Sequence, residues 1–239
     1  MVIKLKKATH PVKLIFDILI VFAVSALAFL FEDYAGNQGW ISIGAEARGV
    51  SAVLGGALAA IAVVYVRGGT IADLGFRRPQ RPAILPLQVS GILIAFIAAQ
   101  ILAPFLVSSF ISMPEPDLSR YDSISGNLFA AIIMALLLPF NASIPEEIIY
   151  RGFLIGRLSD FFGQNIGGAS MAVLVQAFAF GAVHFMWGIG GMIVAFIMGI
   201  VWGTAYILCG RNLWVVILAH SAGHMLGIIQ LYLQASIII

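Results

Sequence analysis

Charge is what this chain has least of. Only 10% of its 239 residues are Asp, Glu, Lys or Arg, against 61% hydrophobic residues, and the mean hydropathy is +1.03. An ordinary soluble domain is thereby excluded. The single cysteine, Cys209, excludes an internal disulfide and leaves the redox compartment open. The net charge of +2 comes from loop placement and argues against a nucleic-acid partner. No internal repeat or low-complexity tract is present, and no run of alternating ten-residue segments of the kind that builds a membrane barrel.

Long apolar runs are present instead, at about 14–31, 47–66, 84–107, 127–158, 166–187, 190–208 and 213–235. All but the longer run at 127–158 fall within the roughly 17–25 residues that span a bilayer as a helix. The expected fold is therefore an all-α polytopic membrane protein with about seven transmembrane helices. A basic start followed by an apolar run and Ala26-Leu27-Ala28 also resembles a cleaved signal peptide. The length of the run, its interruption by Asp17 and the lack of a break after Ala28 favour a retained helix. Asp17 is expected to pair with Lys13 one turn away.

Basic residues set the expected orientation, because Lys and Arg accumulate in short cytoplasmic loops. Lys4, Lys6, Lys7, Lys13, Arg67, Arg77, Arg78, Arg81, Arg151, Arg157 and Arg211 fall on one side, 11 of the 13 basic residues. The other side carries Glu32, Asp33, Glu46, Glu115, Asp117 and Asp122, with only Arg48 and Arg120. An integral cell-membrane protein with a cytoplasmic N-terminus and an outside C-terminus follows. The linker Asp73-Leu-Gly-Phe-Arg-Arg-Pro79 turns at Gly75 and Pro79, and its arginines can meet anionic headgroups. The polar loop 112–126, with Pro114 and Pro116, separates 1–111, three spans and the linker, from a four-helix core over 127–235. The whole of 1–239 reads as one membrane domain. Gly199 and Gly203 form a Gly-x-x-x-Gly packing face, and Gly181, Gly188, Gly190 and Gly191 keep the turn between spans five and six compact.

The unusual buried polar groups all lie in the second half. Glu147 and Arg151 are four apart, on one helical face and in the favourable order for an ion pair. Glu146 is rotated about 100° from Glu147, free to face a cavity, where a carboxylate without a counter-charge suits general-base work. A bland alternative is a capping box, Ser143-Ile-Pro-Glu146, at a helix restarted after Pro139. His184 closes the phrase Phe180-Gly-Ala-Val-His184, and His220 and His224, four apart, present two imidazoles to one space. At 1.5 Å per residue Glu146 falls about 5 Å to the cytoplasmic side of helix four's middle, and His184 about 10 Å toward the outside of span five. Breaks at Pro139, Pro145 or Gly181 are expected to close that gap.

In order and spacing these residues resemble the CAAX prenyl protease-like and bacteriocin-processing intramembrane proteases, the CPBP or Abi family. Glu146, Glu147 and Arg151 stand at its Glu-Glu-x-x-x-Arg motif, Phe180 and His184 at Phe-x-x-x-His, and His220 with His224 at His-x-x-x-Asn/Asp, with His224 in place of the amide. The resemblance covers about 127–230. It implies hydrolysis of a peptide bond in a membrane-associated, possibly lipid-modified substrate. Glu146 and His184 would activate water, His220 and His224 would stabilise the oxyanion, Arg151 would hold Glu147, and Phe180 would shape the pocket wall. No cofactor is implied. A zinc peptidase using Glu146, His184, His220 and His224 as ligands is the alternative enzyme, and a non-catalytic scaffold or transporter the alternative class.

Overall fold

The computed structural model describes residues 11–41, 49–79, 81–113 and 121–233. Lys4, Lys6, Lys7, Glu46, Arg48, Pro114, Glu115, Pro116, Asp117 and Arg120, which enter the charge and loop readings above, lie outside the described residues. Lipid offers the backbone no hydrogen bonds, so an apolar chain satisfies its amides within helices. Seven form: α1 (Pro11–Asn37), α2 (Val50–Val66), α3 (Leu85–Ser108), α4 (Leu128–Phe162), α5 (Ile166–Ala182), α6 (Gly188–Leu208) and α7 (Leu213–Leu233). By length and composition α1, α3, α4, α6 and α7 can cross a membrane, while α2 and α5 are shorter apolar helices of 17 residues each. The protein is a multi-pass membrane protein.

Side-chain caps explain where two of these helices begin. Asn127 accepts a hydrogen bond from the Ala130 amide at 3.1 Å and Asn165 accepts one from the Gly168 amide at 2.8 Å. Across the α1–α2 connection, Glu32 accepts from the Gly49 amide at 2.7 Å and from the Ser51 hydroxyl, so a carboxylate of α1 satisfies the start of α2.

Helix α4 is the centre of the bundle. It runs without interruption through Pro139 and Pro145, where the sequence suggests a restart, because two stretches open to π-helical geometry, Pro139–Ser143 and Glu147–Ile155. Wider turns accommodate prolines that lack an amide hydrogen, and such bulges are frequent at functional sites. Every residue from Glu147 to Ile155 is buried. Contacts with α2, α5, α6 and α7 surround this stretch. One hydrophobic core runs through all seven helices, with Val21, Ala57, Ile92, Phe153, Val173, Met198 and Val216 each contributing.

Glycine sets the approach of α5 to α6. A Cβ on Gly199 would sit 2.8 Å from the Ala177 Cα, and one on Gly181 would sit 2.7 Å from the Met192 carbonyl oxygen. Such backbone contact excludes larger side chains.

Asp17 corrects one expectation. Its carboxylate is buried and accepts from Arg67 at the end of α2, with Nη2 at 2.6 Å and Nε at 3.0 Å; Arg157 of α4 lies at 3.6 Å. Lys13 is exposed and takes no part. The face of α1 that carries Leu14, Asp17 and Val21 turns inward, so the buried carboxylate meets cations that reach it from the ends of neighbouring segments. Asp17→Ala is expected to lower stability by about 1.5–3 kcal/mol, against about 0.5 kcal/mol or less for Lys13→Ala. Thermal unfolding of the two variants in detergent checks the order.

Candidate active site

Two adjacent carboxylates on α4 have opposite environments. Glu147 is fully buried, and its Oε1 accepts from Arg151 Nη1 at 3.1 Å and from His220 Nδ1 at 2.8 Å. Arg151 is equally buried. Glu146 is half-buried and has no hydrogen-bond or ion-pair partner among the described residues. The π-helical turn beginning at Glu147 still lets Arg151, four residues on, reach back to it.

The histidine of α7 that meets Glu147 is held from two further directions. Its ring stacks on Trp202 of α6 at 4.8 Å and 26°, and the His224 ring lies 4.6 Å away. A carboxylate only accepts, so Nδ1 of His220 carries the proton. Its Nε2 is then a lone pair in the neutral ring and an N–H in the imidazolium. His224 in turn shares a 3.0 Å hydrogen bond between its Nδ1 and the Ser143 hydroxyl.

That contact disposes of the capping alternative. Ser143 has helical backbone angles, φ −56° and ψ −52°, and its side chain caps nothing. It is buried and turned toward α7 instead.

Phe180 of α5 links this network to His184. The Arg151 guanidinium carbon sits 4.8 Å above the Phe180 ring, a cation–π contact, and Tyr150 meets the same ring edge-on at 5.0 Å. The His184 ring lies 4.8 Å from Phe180 and 4.3 Å from Trp187. Phe180 therefore stands between Arg151 and His184, in contact with both. Helix α5 stops at Ala182 rather than continuing to 187, so His184 stands on the turn that follows it. Gly181, next to the last residue of the helix, packs closely against the α6 backbone. Nδ1 of His184 donates to the Phe180 carbonyl at 2.6 Å. A carbonyl cannot donate, so Nε2 keeps its lone pair.

The structure thus gathers Glu147, Arg151, His220 and His224 into one network and ties Phe180 and His184 to it through Arg151. Glu146 makes no direct bond to either histidine group. For the zinc alternative, no group of three or more His, Cys, Asp or Glu side chains among the described residues is disposed to hold a metal. Nδ1 of His184 is turned to a main-chain carbonyl, and those of His220 and His224 are turned to Glu147 and Ser143. Glu146, His184, His220 and His224 do not form such a ligand set.

Sequence reasoning missed Ser143, Tyr150, Trp187 and Trp202 as parts of the site. Trp202 precedes Gly203 of the small-residue spacing, and Ser143 precedes Glu146 by three, so each carried a signal with a simpler structural meaning. Tyr150 adjoins Arg151 and Trp187 follows His184 by three, but neither follows a pattern of its own.

Residues 128–226 match the family described as Rce1-like: Type II CAAX prenyl endopeptidase Rce1-like. The matched stretch runs from the start of α4 into α7 and contains every site residue described above. No curated protein and no solved structure matches the chain.

Proposed function

Because the chain carries, over residues 128–226, a domain of the Rce1-like type II CAAX prenyl endopeptidase family and is thereby an intramembrane peptidase, we propose that it cleaves a prenylated, membrane-associated peptide with Glu146 as the general base. The observation that carries this reading is the division of labour between neighbouring carboxylates. Glu147 is held through Oε1 by Arg151 and His220, while Glu146 is half-buried and has no hydrogen-bond or ion-pair partner among the described residues. Adjacent groups held in different environments are how one site supplies both a fixed charge and a base.

Chemistry follows from the proton positions. Glu146 takes a proton from water, and the resulting hydroxide attacks the carbonyl carbon of the scissile bond. The lone pair on His184 Nε2 accepts the other water hydrogen and orients the nucleophile. Negative charge then develops on the carbonyl oxygen, where an N–H donor is needed. His224 offers one at Nε2 when the Ser143 hydroxyl donates to its Nδ1, which is the tautomer the oxyanion role requires. His220 offers a second when its ring is charged between Glu147 and Trp202. The proton held by Glu146 passes to the leaving amine as the C–N bond breaks.

Ser143 is accordingly a positioning residue. Ser143→Ala is expected to lower kcat by about tenfold, in line with the loss of a hydrogen bond of about 1.4 kcal/mol, with KM little changed. Ser143→Thr, which keeps the hydroxyl, restores most of the rate. Equal kcat in serine, alanine and threonine forms removes this tautomer control.

We also propose a cytoplasmic N-terminus and an outside C-terminus. In support, Arg67 and Arg157 converge on Asp17 near the start of α1, and Arg211 donates to Ser159 at the end of α4. These cations from separate loops collect at one end of the bundle, as the rule for cytoplasmic loops requires. The test of the activity is cleavage of a prenylated peptide by purified protein in vesicles, wild type against Glu146→Gln. Undiminished cleavage by the variant overturns the assignment.

A further inference from the structure

The linker between α2 and α3 is fastened to the α6–α7 turn far more firmly than a connecting loop requires. Gly75 accepts at its carbonyl from the Leu213 amide at 2.9 Å, and Asn212 donates its side-chain amide to the Arg77 carbonyl at 3.0 Å. The Asn212 side-chain oxygen accepts in turn from the Trp214 amide at 3.0 Å. Phe76 meets Trp214 edge-on at 5.2 Å. At Gly75 the backbone has φ +99°, and a Cβ there would come within 2.8 Å of the Arg211 carbonyl oxygen. Only glycine permits this approach.

The arrangement holds a concentration of positive charge in place. Arg77, Arg78 and Arg81 line a cavity of about 290 Å³ together with Asn212 and Gln88, and no Asp or Glu lines it. Arg77 spends its Nε on the Ala72 carbonyl at 2.8 Å. Arg78 and Arg81 have no hydrogen-bond or ion-pair partner among the described residues. Planar guanidinium donors without a carboxylate select an anion with several acceptor oxygens, and phosphate is the best match.

Depth and lining decide which phosphate. The cavity lies where α6 ends at Leu208 and where α3 and α7 begin, at Leu85 and Leu213. This is the boundary between apolar helix and polar loop, the level of lipid headgroups. Ile84 and Leu208 complete the wall, and both are exposed apolar side chains. They offer an acyl chain a surface directly beside the arginines, which a free phosphate ion would not use. We propose that this pocket binds the phosphate headgroup of an anionic phospholipid, seating it between the linker, α3 and the α6–α7 turn. The site is separate from the peptidase chemistry and does not depend on it.

The experiment measures lipid retained by the purified full-length chain after reconstitution with phosphatidylglycerol or phosphatidylcholine and detergent washing. Wild type is expected to retain phosphatidylglycerol in preference to phosphatidylcholine. Arg78→Gln/Arg81→Gln is expected to weaken that retention by about tenfold to thirtyfold, the effect of two arginines near a membrane surface. Arg78→Lys/Arg81→Lys, which keeps both charges but loses the planar fork, is expected to fall between wild type and the glutamine variant. Inorganic phosphate in excess leaves the bound lipid in place. Equal retention of the two lipids by wild type overturns the proposal without reference to any variant. So does unchanged retention by the glutamine variant, and displacement by inorganic phosphate would reassign the pocket to a soluble anion.

Discussion

Replacement of Glu146 by glutamine is expected to lower peptide cleavage by about 10²–10⁴-fold, the usual contribution of a positioned general base. The substitution is nearly isosteric, and Glu146 makes no hydrogen bond or ion pair among the described residues, so the fold has little to lose. The unfolding midpoint should therefore stay within a few degrees of wild type while kcat collapses. Glu147→Gln is expected to give the opposite pattern. It leaves Arg151 buried without its counter-charge, so stability falls as well as activity. A kcat near the wild-type value in Glu146→Gln, with protein shown to be folded, would transfer the base to another group.

Arg151→Leu is expected to be the most destabilising single change in the molecule. Glu147 and Arg151 are both fully buried, and His220 is then the only remaining partner of the carboxylate among the described residues. Breaking a buried pair by removing one member costs about 3–5 kcal/mol, because the remaining charge has neither water nor a full counter-ion. For a chain of this size that corresponds to a fall of about 6–20 °C in unfolding midpoint. Losing the guanidinium also empties the space above Phe180, which adds to the cost. Glu147→Gln/Arg151→Leu removes both charges together and should recover part of the stability. It should not recover cleavage, since the carboxylate that anchors His220 Nδ1 is gone. Arg151→Leu with a wild-type midpoint would show that the pair is not the buried ionic core of the site.

Asp17 and Ser143 show why part of this protein was hidden in its sequence. Both residues had short-range readings that were sound as local chemistry: an ion pair with Lys13 one turn away, and a helix cap for Glu146. In the structure each is satisfied from far along the chain, Asp17 by Arg67 and Arg157, and Ser143 by His224. Nothing in the pattern of a single helix reports which neighbour another helix brings to it. His184 carries the same lesson for boundaries. Its apolar run continues past the end of α5, so hydropathy extended the helix, whereas the backbone leaves helical geometry after Ala182.

By itself the amino-acid sequence determined the membrane class, the seven helices and the identity of the polar groups worth examining. Those properties follow from the cost of placing backbone and charge in lipid, a cost that accumulates residue by residue and is therefore readable along one chain. The tertiary structure alone decided which carboxylate is held and which is left unpaired, and which group each imidazole Nδ1 faces. It also decided that Trp202 backs His220 and that the linker arginines share a cavity with the α6–α7 turn. These depend on side chains from separate helices meeting within hydrogen-bonding distance, and spacing along one helix cannot encode such meetings.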